Sequence, residues 1–272
     1  MVSATSLSDL AKSLGSARAP LLLDVRQEQT FKAGEHLVAG AIWRSPERIE
    51  QWRDHLPRDR PVVVYCVHGQ EVSQGVASAL ESSGISVSYL TGGLAAWSAQ
   101  NLPLRRKHGP EPDSPSTWVT RERPKIDRIA CPWLIRRFID PDATFVYVPA
   151  DRVLAVAKET GATPYDVAGV EFTHEGDRCS FDTLLRIYGI ADPALDHLAA
   201  IARGADTSRH DLTPQCGGLF AISLGLSATF PDDHEMLKHG MVIYDALYTW
   251  CRSLQAETHN WPAASVKVAR CG

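Results

Sequence analysis

The stretch Pro61-Val-Val-Val-Tyr-Cys66-Val-His-Gly69-Gln-Glu-Val-Ser73 constrains the fold more than any other part of the chain. Pro61 bounds an apolar run from Val62 to Tyr65, the pattern of a strand covered on both faces. Val72, Val76, Ala79 and Leu80 then recur at helical spacing, and Gly84 is a suitable stop. The segment therefore predicts a buried strand, a tight loop through Gly69, and a helix. Cys66 sits where the strand ends. There, successive backbone N–H groups point into the loop and the helix N-terminus is partly positive. A thiolate gains from both, so the spacing predicts a Cys66 of lowered pKa and raised nucleophilicity. A lone Cys at a strand end is more often a small buried hydrophobe; the loop that follows favours the reactive assignment.

The chain around this segment has 272 residues, enough for one large domain or two of ordinary size. Six cysteines, at 66, 131, 179, 216, 251 and 271, form no CxxC pair, which argues against a disulfide framework and for a reducing compartment. The N-terminal residues lack a basic start followed by an apolar core, so no signal peptide is expected. A cytoplasmic location follows as an expectation. No apolar run has membrane-spanning length. With a net charge of −4, no general attraction to nucleic acid is expected.

In the first half, Ser6 or Ser8 caps a short helix over residues 6–14, and Leu21 to Val25 reads as a second buried strand ending at Asp24 and Arg26. Ser45-Pro46-Glu47 is a helix start, Val87 to Leu90 a strand, and Gly92-Gly93 a turn into a helix carrying Leu94 and Trp97. Strands alternating with helices predict an α/β unit with a parallel sheet, whose sites lie at the carboxyl ends of strands. Asp24 and Cys66 both fall there. Three motifs then carry a resemblance: Leu22-Leu-Asp24-Val-Arg26 followed by His36-Leu-Val-Ala-Gly40-Ala41, Tyr65-Cys66-Val-His-Gly69, and Leu90-Thr-Gly-Gly-Leu-Ala-Ala-Trp97. Together they make residues 20–103 resemble a single rhodanese (sulfurtransferase-like) domain. The resemblance implies that Cys66 takes a sulfane sulfur as a persulfide and passes it to a thiol acceptor. It makes Asp24 and Arg26 catalytic candidates, with a structural ion pair as the equal alternative, and His68, Gly69, Gln70, Glu71 and Ser73 substrate-binding candidates. The helix serine falls at 73, one place later than in the common shorter loop. A loop of this length is similar to that of cysteine phosphatases and arsenate reductases, whose arginine position is here Val72. Phosphatase activity is therefore not expected.

Residues 105–116 read as a Pro-rich, charged linker, which divides the chain into 1–104 and 117–272. The second part predicts a mostly helical α+β domain. It has strands at 118–121 and 144–148 and a helix over 127–139. Further helices open at Ser180, Asp192-Pro193, Thr213-Pro214 and Asp232 or Asp233. Its ordered motifs are Trp118-Val-Thr-Arg121, Lys125-Ile-Asp127-Arg128, Glu171-Phe-Thr-His174-Glu-Gly-Asp177, Gly204-Ala-Asp206 and Tyr244-Asp-Ala-Leu-Tyr-Thr-Trp250. Through them residues 117–254 resemble the chromate-resistance domain at the C-terminus of ChrB-type proteins, which implies a link to oxyanion or metal stress.

From the residues themselves, the cluster Glu171, His174 and Asp177 suits a divalent metal such as Mn, Fe or Zn, with Glu171 and His174 as its ligands and Asp206, far off in sequence, as the weakest addition. Asp206 and His210, at i and i+4, would share a helix face. Arg121, Lys125 and Arg128 beside a helix N-terminus suit an anion, such as chromate or another oxyanion. No organic cofactor is implied. The reading that combines these features is a sulfurtransferase, taking sulfur from a small donor, joined to a metal- or oxyanion-binding domain. Two alternatives stay open: a chromate-responsive sensor without turnover, and a metal-dependent enzyme centred on the second domain.

Overall fold

The computed structural model describes residues 2–109 and 115–258. Linker residues 110–114 and the chain end beyond 258, where fraying is expected, lie outside the described residues. The first half contains β1 (Ser3–Thr5), α1 (Leu7–Ser13), β2 (Leu21–Asp24), α2 (Glu28–Ala33), β3 (His36–Val38), β4 (Ala41–Trp43) and α3 (Ile49–Trp52). These are followed by β5 (Val62–Tyr65), α4 (Glu71–Ser82), β6 (Val87–Leu90), α5 (Gly93–Ala99) and β7 (Leu104–Arg106). The sheet runs β1-β6-β5-β2-β4, parallel throughout. Alternate side chains feed two cores. Leu22, Val63 and Tyr65 pack with Leu10, Phe31 and Trp97 on one face. Leu21, Leu23, Val62 and Val64 pack with Trp52, Val76 and Leu80 on the other. Strands buried on both faces must be apolar at consecutive positions, which is why 62–64 and 21–23 carry no polar residue. Each such side chain contributes roughly 1.5–3 kcal/mol by leaving water.

The helix predicted from Ser45 is broken into short pieces: two turns of 3-10 helix flank the four-residue α3. Residues 105 and 106, assigned to the linker from sequence, are strand residues: β7 pairs antiparallel with β3.

The second half contains β8 (Thr117–Arg121), α6 (Asp127–Phe138), β9 (Thr144–Val148), α7 (Val153–Thr160), β10 (Thr163–Pro164), α8 (Ser180–Tyr188), α9 (Pro193–Asp206), α10 (Cys216–Thr229) and α11 (Asp233–Ser253). A three-stranded parallel sheet, β10-β8-β9, is packed with helices. The fold is thus a parallel α/β domain followed by a mostly helical α+β domain. α6 is the central helix, burying Ile129, Trp133, Leu134 and Phe138. Pro132 lies inside it and has no N–H to offer the Arg128 carbonyl. The Tyr147 hydroxyl donates to that carbonyl instead, at 3.5 Å. Asp192 and Asp232 cap α9 and α11 through side-chain oxygens, as their sequence positions predict. α10 begins at Cys216, two residues after the expected Pro214.

The halves meet. The Gly40 amide donates to the Phe138 carbonyl at 2.6 Å. Arg252 of α11 donates to the carbonyls of Ala11, Lys12 and Leu14 at the end of α1. Gly15, with φ +70°, lies against the Tyr248 ring, where an added Cβ would be 2.3 Å from a ring carbon. None of the helices among the described residues is long and apolar enough to cross a membrane.

Candidate functional site

β5 ends at Tyr65 and delivers Cys66 to the carboxyl edge of the sheet; β2, paired with it, delivers Asp24 to the same edge in register with Tyr65. Between Cys66 and α4 the chain folds into a loop that other elements hold shut. Amides at the start of α5 donate to its carbonyls, Leu94 to Cys66 at 3.0 Å and Ala95 to Val67 at 2.9 Å. The Gln74 side chain donates to the Gly69 carbonyl at 3.0 Å. Gly69 and Gly93 both have positive φ where backbone meets backbone. A Cβ on Gly69 would lie 2.3 Å from the Leu90 carbonyl oxygen, and one on Gly93 2.4 Å from that of Cys66. Only glycine fits at either position.

With its carbonyls turned outward, the loop aims its own N–H groups at the sulfur. Burial pushes the Cys66 thiol up. The Ser73 hydroxyl, together with backbone N–H groups of Ser73, Gln70 and His68, outweighs it, and the thiol titrates below its ordinary value. Ser73 Oγ is 3.2 Å from Cys66 Sγ. Other thiols go the opposite way: burial pushes Cys131 and Cys179 well up, and Cys251 up to about 11. Above Cys66 opens a cavity of about 320 Å³ lined by Arg26, Gln27, Thr30, His68, Gln70, Glu71 and Val72.

Arg26 and Asp24 form a buried ion pair. The guanidinium Nε is 2.9 Å from both carboxylate oxygens and one terminal nitrogen is 2.6 Å from Oδ2; the same nitrogen reaches the His36 carbonyl. Asp24 is fully buried and Arg26 is 4% exposed. Arg26 thus rims the cavity with its charge already spent on Asp24, which supports the structural role of the pair left open by the sequence.

In the second half, His174 Nε2 lies 3.2 Å from Asp206 Oδ2, 3.5 Å from Asp127 Oδ2 and 3.5 Å from Asp166 Oδ1. Asp127 opens α6, His174 precedes a turn through Gly176 at positive φ, and Asp206 ends α9. The ligand atoms of Asp127, His174 and Asp206 lie within 4.8 Å of one another. Hydrogen bonds to Asp166 and Asp206 hold the His174 imidazole up to about 10 against its burial. Burial, then the charges of Asp206 and Asp166, push Asp127 well up.

The sequence-derived ligand set needs two corrections. Glu171 is not with His174: it is an exposed residue whose carboxylate is 3.2 Å from His108 Nε2, lining a separate cavity between the halves. Val170 and Glu171 lie outside any strand, so the expected alternation does not position Glu171. Asp127 occupies the place expected for it. His210 shares no helix face with Asp206, because α9 stops at Asp206; its ring packs on Phe220. Nor do Arg121, Lys125 and Arg128 form a free anion pocket. Arg121 and Arg128 pair with Asp166 at 3.0 and 3.4 Å, and Lys125 is exposed. Asp166 itself escaped the sequence reading. Its one local signal is structural, a positive φ of 52° on a non-glycine residue.

Comparison with known proteins finds two family models that match separate parts of the chain. Residues 6–100 match the model of the rhodanese-like domain, and residues 118–251 match that of the ChrB C-terminal domain. Protein ChrB of Cupriavidus metallidurans is 35% identical over 152 residues, covering 56% of this chain and 44% of that protein. The chain therefore spans less than half the length of that relative. Thiosulfate sulfurtransferase GlpE of Coxiella burnetii is 32% identical over 82 residues, 30% of this chain and 74% of that one. Among solved structures, a rhodanese-related protein from Thermoplasma volcanium is similar at 22% identity and a TM-score of 0.33, covering 38% of this chain and 96% of that one.

Proposed function

For a chain that belongs to the rhodanese-like family and carries a ChrB C-terminal domain, we propose sulfur transfer at Cys66 as the activity of its first half. The Cys66 thiolate attacks the outer, sulfane sulfur of a donor such as thiosulfate or a small persulfide. A bond forms between Sγ and that sulfur. The donor's S–S bond breaks, and its electron pair leaves with sulfite or with the donor thiolate. The result is a Cys66 persulfide anion, whose terminal sulfur the loop N–H groups hold as they would an oxyanion. A thiolate acceptor then attacks that terminal sulfur and Cys66 leaves as thiolate, restoring the start. No net oxidant or reductant is needed.

The observation that carries this reading is the lowered Cys66 thiol at the floor of an open cavity, set against three thiols that burial holds up. Arg26 contributes by fixing the end of β2 beside the loop, because its charge is met by Asp24. His68 and Glu71, both exposed at the mouth, are placed to select the donor. Turnover of thiosulfate with cyanide or a small thiol as acceptor is the test. Cys66→Ser should abolish it while the fold persists; turnover by a folded Cys66→Ser protein at the wild-type rate would overturn the proposal.

A further inference from the structure

We propose that Asp127, His174 and Asp206 form a binding site for one divalent transition-metal ion, Mn, Fe(II) or Zn, independent of the sulfur chemistry at Cys66. Two helices and a turn, far apart in sequence, bring these donors together: Asp127 from the start of α6, Asp206 from the end of α9, and His174 from the turn before α8. Two carboxylates and one imidazole are a donor set of intermediate hardness, which these ions accept and Mg would fill mostly with water.

The second observation is an orphaned atom. Asp127 is 1% exposed, and one of its oxygens, Oδ2, accepts the Ser180 N–H at 2.5 Å from the first residue of α8. Its other oxygen, Oδ1, is buried without a hydrogen-bond partner. Oδ2 is the oxygen that faces His174, at 3.5 Å. The buried carboxylate as a whole is under-satisfied, which is costly, and a cation at Oδ2 offsets that cost. Charge agrees with this. Arg121 and Arg128 neutralise Asp166, which also accepts from the Ser180 hydroxyl at 2.8 Å. Asp166 is therefore a second-layer group. Asp127 and Asp206 are left facing a single imidazole, and once a divalent ion displaces the protons of its ligands, the two carboxylates match its double charge.

The site is reachable. His174 is 39% and Asp206 22% exposed, and His174, Asp166 and Arg121 line a solvent-facing cavity of about 420 Å³. His174 is the donor that borders this cavity, so an ion can arrive from solvent on its side, with water completing three protein donors.

The test is a titration of metal-stripped full-length protein with Mn²⁺, reading free Mn²⁺ by electron paramagnetic resonance and bound metal by elemental analysis, repeated with Zn²⁺. The expectation is one equivalent per chain, weakened at least about tenfold, the scale of disturbed metal sites, in both Asp206→Asn and His174→Ala. Glu171→Gln, which lies at the other cavity, keeps wild-type binding. Circular dichroism confines the comparison to folded variants, and His174→Gln replaces His174→Ala if that variant unfolds. Absence of stoichiometric binding of either ion to the wild type would overturn the proposal, as would wild-type affinity in a folded variant of either ligand.

Discussion

Ser73→Ala isolates the device that makes Cys66 reactive. The Ser73 hydroxyl donates to the Gln70 carbonyl at 3.1 Å and lies 3.2 Å from Cys66 Sγ, so its single proton turns to the sulfur to hold a thiolate; the residue is fully buried. A hydrogen bond to a charged group is worth about 1.5–3 kcal/mol. The loop amides of Ser73, Gln70 and His68 stay in place after the substitution, so the lower end of that range applies, about 1.5 kcal/mol. At about 1.4 kcal/mol per factor of ten, the thiolate fraction below the thiol's midpoint falls about tenfold. Stability should change by less than about 1 kcal/mol, because the Gln70 carbonyl keeps the Gln74 N–H at 3.0 Å. The assay is the rate of Cys66 alkylation by iodoacetamide across pH, followed by peptide mass mapping. In the wild type the rate should rise with pH as the proton leaves and level off below the range of an ordinary thiol, since the loop lowers the Cys66 value. In Ser73→Ala the curve should move to higher pH and meet the wild type only in alkaline solution. Superimposable curves would refute the assignment of the lowered thiol to this hydroxyl.

Arg26→Ala leaves the fully buried Asp24 carboxylate unpaired and should cost about 3–5 kcal/mol of stability in urea unfolding; a loss below 1 kcal/mol would mean the pair is not what fixes the end of β2. Gly93→Ala places a methyl 2.4 Å from the Cys66 carbonyl oxygen at a φ of +58°. It should destabilise by more than the roughly 1–2 kcal/mol of left-handed backbone strain alone and slow sulfur loading, whereas unchanged loading would show that the loop is not pinned by α5. Arg252→Ala removes donors to three carbonyls at the end of α1 and should lower stability by about 1–2 kcal/mol, with both halves melting earlier in calorimetry; an unchanged melting curve would mean that the contact between halves carries no energy.

How much of this was legible in the sequence depends on the range of the signal. Val62 to Tyr65 and Leu21 to Asp24 announce themselves because burial on both faces demands an unbroken apolar run. The caps Ser6, Asp192 and Asp232 are local hydrogen bonds, so the helices they open begin where expected. Cys66 was readable for the same reason, since strand, loop and helix are consecutive. The short edge elements were not: β1, β3 and β7 are three residues each, and pairing with a distant partner, not any pattern of their own, makes them strands. The cluster around His174 shows the limit most clearly. Glu171 is three residues from His174 and looks like its partner, yet the chain turns it toward His108. Asp127, 47 positions earlier, comes in because α6 and α8 pack with their N-termini together, the Ser180 N–H reaching its carboxylate. Sequence proximity suggests Glu171 as the neighbour of His174; helix packing puts Asp127 there.

The central claim is that Cys66 carries the transferred sulfur in this fold. Its most direct measurement is the intact mass of the protein after brief exposure to thiosulfate or a small persulfide, with the modified peptide then located. The account predicts a gain of one sulfur atom on the peptide containing Cys66, removed by a thiol acceptor and absent in folded Cys66→Ser. The same gain in Cys66→Ser, or its location on Cys131, Cys179, Cys216 or Cys251, would contradict it.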